Sequence, residues 1–343
     1  MATTQLDRLT AAGQFRIGLL FAVSSALAFG SSGPFAKALM EAGWSPVAAA
    51  TARLAGGAFA MIVFASIVRP GWAREAIRHT RMVIAYGLVP IAGAQLFYYN
   101  AVAHLSVGVA LLLEYTAPIL VVGWLWATTR HRPSPMTFAG VGLAVAGIML
   151  VLNVFTGAHI NIVGVGWGLA AAVCAACYFM MSNRVSTAGD GLNPISLATG
   201  GLIVGAAAVG LLGITGVMQL KFTASPVTIA GFTTSWLVPV IALGLIPTAL
   251  AYTLGILGIA RLKPRFASLV GLSEVMFAVL AAWILLGEAI TLIQAVGGAV
   301  VLLGLALARQ GDRNEQESRT IAEACWPDAP GQNATPEQTI SPG

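Results

Sequence analysis

The segment Val-Ile-Ala-Tyr-Gly-Leu-Val-Pro from Val83 to Pro90 returns from Val240 to Pro247 as Val-Ile-Ala-Leu-Gly-Leu-Ile-Pro. Keeping that offset without a gap, Leu105 meets Leu262, Ala110 meets Ala267, Trp126 meets Trp283, Gly140 meets Gly297 and Gly147 meets Gly304. A matched proline and tryptophan at fixed spacing distinguish duplication from shared apolar composition. The preceding segments align more weakly, with Leu19, Ala22, Val23, Ala26 and Phe29 against Leu169, Ala172, Val173, Ala176 and Phe179. The chain is therefore expected to build its fold from two like halves, a pattern typical of membrane transporters.

The solvent for those halves follows from composition. Of 343 residues, 57% are hydrophobic and 9% charged, against roughly 25% charged in soluble domains. Runs of about 20 apolar residues, the length that spans a bilayer as a helix, fall at 15–36, 45–68, 82–103, 107–128, 135–156, 163–183, 193–217, 236–259, 266–286 and 289–308. The fold class predicted is all-α integral membrane, with ten transmembrane helices in two inverted five-helix repeats. Residues 1–14 form a cytoplasmic N-terminus, 15–156 the first repeat, 157–309 the second, and 310–343 a polar, acidic tail expected to be disordered.

The net charge of +5 reads as topology once its positions are considered. With the N-terminus inside, the cytoplasmic ends collect Arg8, Arg16, Arg69, Arg74, Arg78, Arg81, Arg130, Arg132, Arg184, Arg261, Lys263, Arg265, Arg309, Arg313 and Arg319, while the other side holds Lys37 and Lys221. This positive-inside bias accounts for the basicity without nucleic acid. Five spans per half also force the second copy to enter the membrane from the opposite side. The loops agree: the turn from His104 to Gly108 lacks Lys and Arg, whereas its counterpart carries Arg261, Lys263 and Arg265. Trp44, Trp167, Trp236, Trp283 and Trp126 fall near span ends, as an interfacial belt would place them.

Charges inside spans are the functional candidates. A charge at the helix centre costs about 2.5–3.5 kcal/mol on insertion scales and normally faces a bundle interior or a wet cavity. Glu114 and Glu274 lie near the middles of the fourth and ninth spans. Each fits either a substrate or coupling group, or a satisfied carboxyl that only fixes packing. Arg53, within the second span, needs an anionic partner: Glu114 is the protein candidate, and a substrate carboxylate or phosphate the functional one. Lys37 ends the first span, where its ammonium is expected to snorkel outward. Gln95, Tyr98, Tyr99 and Asn100 cluster in the third span, Tyr252 replaces Gln95 in the repeat, and Tyr178 heads a weaker group in the sixth span. Such groups line a polar path or anchor the interface. Pro90 and Pro247 each remove a backbone hydrogen bond at matched places in their spans, giving paired gate hinges or static bends. Gly140, Gly147, Gly297 and Gly304 read as close helix packing.

Other chemistries find little support. His79, His104, His131 and His159 occupy loops or span ends, and no nucleophile or metal constellation is visible, so an enzyme is not expected. Cys174-Ala-Ala-Cys177 lies inside an apolar run without the context of a redox or metal motif, and reads as small packing residues. No cofactor or metal is implied. The expected partners are a small-molecule substrate and the lipid bilayer, and nothing in the spans fixes an oligomeric state. A receptor or scaffold that binds without transporting is the alternative.

The ten spans, the inverted halves and Leu286-Gly287-Glu288 before the last span resemble the EamA-type branch of the drug/metabolite transporter superfamily, over residues 15–309. Within it, Leu112-Leu113-Glu114-Tyr115-Thr116-Ala117-Pro118 and Thr248-Ala249-Leu250-Ala251-Tyr252 are similar to segments of threonine/homoserine exporters. One departure is Val275, which follows Glu274 where relatives commonly have proline. The resemblance implies a central cavity formed by spans one to four and six to nine, and efflux of small metabolites, often amino acids, across a bacterial plasma membrane. With no ATP-binding motif, transport would be secondary, and proton antiport through the midplane carboxylates is the expected coupling.

Overall fold

In the computed structural model the described residues are 2–130, 133–152, 161–188, 192–251, 253–255 and 264–325. They form α1 (Ala2–Gly30), α2 (Ser32–Glu41), α3 (Pro46–Val68), α4 (Trp72–Arg78), α5 (Thr80–Tyr86), α6 (Ala94–His104), α7 (Val107–Glu114), α8 (Ala117–Thr129), α9 (Pro135–Val151), α10 (Ile162–Ala188), α11 (Pro194–Ile214), α12 (Leu237–Gly244), α13 (Pro264–Leu286) and α14 (Leu292–Cys325). Two π-helical turns, Gly87–Gly93 and Leu245–Leu250, carry Pro90 and Pro247. A small antiparallel hairpin pairs β1 (Val227–Ile229) with β2 (Phe232–Thr234).

Seven stretches among the described residues are long and apolar enough to cross a membrane: Arg16–Glu41, Pro46–Val68, Thr80–His104, Val107–Thr128, Ile162–Met181, Pro194–Ile214 and Leu237–Gly255. Shorter apolar helices, Pro135–Val151, Ser273–Leu286 and Leu292–Ala308, stand where the fifth, ninth and tenth spans are expected. Helix starts are written locally. The Ser45 side chain accepts from Ala48 N–H, Ser134 from Thr137 N–H and Asn193 from Ile195 N–H, each with proline in the first turn, where a missing N–H costs nothing.

Small residues set the packing. α9 lies along α14, α3 along α11, α6 along α10 and α1 along α13. A Cβ added at Gly147 would sit 2.6 Å from the Val301 nitrogen and 2.8 Å from the Gly297 oxygen, so the two backbones touch. Gly140 meets Gly304 in the same way. The repeat aligns Gly140 with Gly297 and Gly147 with Gly304, but contact crosses those pairs, so the equivalent helices run antiparallel. Direct backbone approach of this kind suits a lipid-exposed bundle, where dispersion rather than hydrophobic exclusion holds helices together.

Outside the spans, Glu75 on α4 fastens two loops. Its Oε2 accepts from Arg69 Nε at 2.9 Å and from the Ser196 hydroxyl at 2.6 Å, and its Oε1 accepts from Asn193 N–H at 2.8 Å. The Arg69 guanidinium is the largest cause holding the Glu75 pKa down from 4.5 to about 2. Ser196 and Asn193 add to this while burial opposes it.

Three expectations are corrected. α14 continues through Cys325, so helix replaces the disorder expected from residue 310, and only 326–343 of that tail lie outside the described residues. Trp44 is not an interfacial anchor: it is buried, its Nε1 donates to Thr223 O at 2.8 Å, and its ring abuts Phe222 and Trp236. Lys37 does not snorkel; it pairs with Glu288 and donates to Leu105 O at 3.2 Å. A partner across the bundle competes successfully with water for its ammonium.

Candidate functional site

A cavity of about 530 Å³ occupies the bundle interior. Its polar lining includes Ser32, Arg53, Gln95, Glu114, Tyr115 and Glu274, with Tyr98 and Tyr178, and much of the remaining wall is apolar, including Phe29, Leu111, Val121, Val122 and Phe179. Local backbone breaks deliver the polar groups. The first span is interrupted between α1 and α2 beside Ser32, and the fourth at Tyr115 and Thr116, directly after Glu114. The third and eighth take their π-helical turns at Pro90 and Pro247; Pro90 lines the main cavity, and Thr248 lines a smaller adjoining one of about 40 Å³. Interrupted helices at membrane depth persist only where backbone is buried in protein or lines a cavity.

Arg53 is 6% exposed, and neutral oxygens are among its partners. Its Nη1 donates to Ser32 Oγ and Gln95 Oε1 and lies 3.3 Å from Tyr99 Oη, while its Cζ stands 5.9 Å from the Tyr99 ring centroid. The Ser32 and Tyr99 hydroxyls bond to each other at 2.9 Å. This cradle fixes the planar guanidinium at the cavity wall. Elsewhere in the lining the Tyr115 hydroxyl donates to Glu274 Oε2 at 2.7 Å. One cationic and two acidic side chains thus share a single enclosure.

The sequence-selected residues distribute unevenly. Arg53, Gln95, Tyr98, Glu114, Tyr178, Glu274 and Pro90 line the main cavity. Tyr99 is fully buried behind Arg53 and supports it. Asn100 is buried and its amide donates to Leu96 O at 2.7 Å, one turn back on its own helix. The interfacial-anchor reading of Tyr98, Tyr99 and Asn100 is therefore set aside. Pro247 is buried in its π-helical turn, and Tyr252 lies outside the described residues. Ser32, Tyr115 and Thr248 were missed. Tyr115 follows Glu114 directly, and both it and Thr248 fall within the two segments similar to threonine/homoserine exporters, which were the signals that could have found them. Cys174 packs against Gly93, in keeping with a packing role. Among the described residues no group of His, Cys, Asp or Glu is arranged to hold a metal ion.

A helical bundle of long apolar spans with a charged cavity at its broken helices is the framework of a multi-pass membrane protein, and the family it matches makes it a transporter of a small-molecule substrate. The chain belongs to the EamA-like transporter family, which it matches over residues 16–153 and again over 162–310. It is 30% identical to the threonine/homoserine exporter RhtA of Escherichia coli (strain K12) over 73% of this chain and 77% of that protein. Identity with RhtA of Salmonella typhimurium (strain SL1344) is 31%, over 80% of this chain and 84% of the relative. An uncharacterized inner membrane transporter of Salmonella typhimurium (strain LT2), YicL, is 24% identical over 86% of this chain and 96% of its own. A protein of known crystal structure, 20% identical, shares the fold with a TM-score of 0.53, covering 88% of this chain and 97% of that one. The family consists of transporters, and the chain is not an enzyme.

Proposed function

We propose that the protein is a secondary exporter of small zwitterionic metabolites, amino acids or close relatives, working by alternating access in a bacterial inner membrane. The observation that carries this reading is the joint presence of Arg53, Glu114 and Glu274 around one cavity. A guanidinium suits a solute carboxylate and a carboxylate suits its ammonium. The second acidic side chain leaves a group that can exchange a proton for the solute, so proton antiport is the proposed coupling. The threonine/homoserine exporters among its relatives support the substrate class.

The architecture proposed is ten spans in two inverted five-helix repeats, residues 15–156 and 157–309, with both termini cytoplasmic. The double family match and the antiparallel crossing of α9 and α14 favour it. Pro90 and Pro247 serve as hinges in this scheme, since a π-helical turn lacks the regular bonding that stiffens an α-helix. The test is uptake of labelled threonine and homoserine into proteoliposomes with and without a proton gradient. Glu114→Gln is expected to remain folded while flux falls about tenfold to a hundredfold, the worth of one charge-assisted contact. Unchanged flux would remove Glu114 from the site, and flux without proton movement would replace antiport by exchange or facilitated diffusion.

A further inference from the structure

Three segments from both halves of the chain meet at one end of the bundle. Lys37, in the middle of α2, pairs with Glu288 in the turn before α14 and donates to Leu105 O. The second carboxylate oxygen of Glu288 accepts from Val107 N–H, at the start of α7, at 3.2 Å. The ion pair is sheltered, with side-chain exposures of 20% and 19%.

The cavity lies wholly to one side of this contact. Along the fourth span its lining passes from Leu111 to Val122, away from Val107. α10 starts near Leu105, which Gly164 touches, yet contributes Ala175, Tyr178 and Phe179; α14 starts just after Glu288, yet contributes Ala308. Between cavity and ion pair the packing is dense. A Cβ on Gly33 would strike Tyr98 and Val107, and one on Gly108 would strike Val279. Opening this end therefore requires separating that layer and breaking the ion pair beyond it.

The opposite end cannot form the same contact. In the repeat, Glu288 corresponds to His131, and Val107 to Pro264, which has no N–H to offer. Lys37 corresponds, at the offset of the first spans, to Thr187. Acid, base and backbone donor are all missing from the second copy of the arrangement. This particular contact therefore has no counterpart in the other half; the Arg69–Glu75 pair at the far end of α3 ties α4 to the start of α11, and none of its residues lines the cavity.

We propose that Lys37, Glu288 and the Val107 N–H form a latch holding this end shut, so that the resting transporter presents its cavity toward the other end. The inference rests on the alternating-access reading above. An exporter benefits from this bias, because its empty site then waits on the side from which solute is taken.

The test measures distances by double electron–electron resonance in the full-length protein in lipid nanodiscs. Cys174, Cys177 and Cys325 are replaced by Ala, and spin labels are placed at Glu41→Cys and Ile290→Cys, both exposed beside the latch. The parent should show one short population. Lys37→Met and Glu288→Gln should each add a longer one, raising the open-to-closed ratio about tenfold. Combining the two should shift the ratio no further than either alone, since one missing partner already breaks the pair. Unchanged distances in the single variants, or shifts that simply add in the double variant, would overturn the latch. Distances are read without solute, so a chain that failed to carry amino acids would fail the flux test while leaving this one intact.

Discussion

Arg53 shows how much a single side chain can be asked to organise within a membrane. A guanidinium offers planar, forked donors, and here one of its nitrogens reaches the oxygens of Ser32, Gln95 and Tyr99 while the group lies over the Tyr99 ring. Lysine would keep the charge but replace that fork with a compact, strongly hydrated ammonium. Arg53→Lys is therefore expected to leave the protein folded and to lower solute flux about tenfold or more in proteoliposomes. Wild-type flux in this variant would show that charge alone suffices. Arg53, Glu114 and Glu274 were legible in the sequence because an ionised group within an apolar run has few places to go. Ser32, Tyr115 and Thr248 were not, since a hydroxyl within a membrane helix serves equally well bonded to its own backbone, as Thr199 is to Ile195 O.

At the scale of the element, proline and glutamate do different work. A proline inside a span removes a ladder bond, and both halves absorb the loss by widening into a π-helical turn. In the second half the Thr248 hydroxyl reaches back to Leu243 O at 3.4 Å. The sequence marked where these irregularities fall, but a bend and a widened turn follow equally from the same residue. Glu75 fastens α4 to the start of α11 through Ser196 and Asn193. Its pKa is lower in the folded protein than in the unfolded chain, so its contribution is fully present above about pH 4.5 and fades as pH falls toward about 2. Glu75→Gln should destabilise the protein at neutral pH by about 1.5–3 kcal/mol. The gap in melting midpoint between variant and parent, followed in detergent, should then close as pH falls through that window. A gap independent of pH would show that the ionised carboxylate is not what fastens the loops.

For the molecule as a whole, the proposed inversion makes a direct statement about sidedness. His104 ends α6, and Lys263 falls in the segment of the second half that corresponds to it in sequence, so cysteines at these positions in a cysteine-free background should react with impermeant thiol reagents from opposite sides of the membrane. Labelling from the same side would remove the inverted repeat. Membrane immersion, duplication and the places of the irregular turns at Pro90 and Pro247 were legible in the sequence alone, whereas the breaks beside Ser32 and at Tyr115 were not. Lipid offers the backbone no hydrogen bonds, so a long apolar run has little choice but helix. What the tertiary structure alone decided was which faces of those helices meet. A helix apolar on every side carries no stripe to mark its inward face, and the meeting of Gly147 with Gly297, or of Lys37 with Glu288, depends on close packing between segments far apart in the chain.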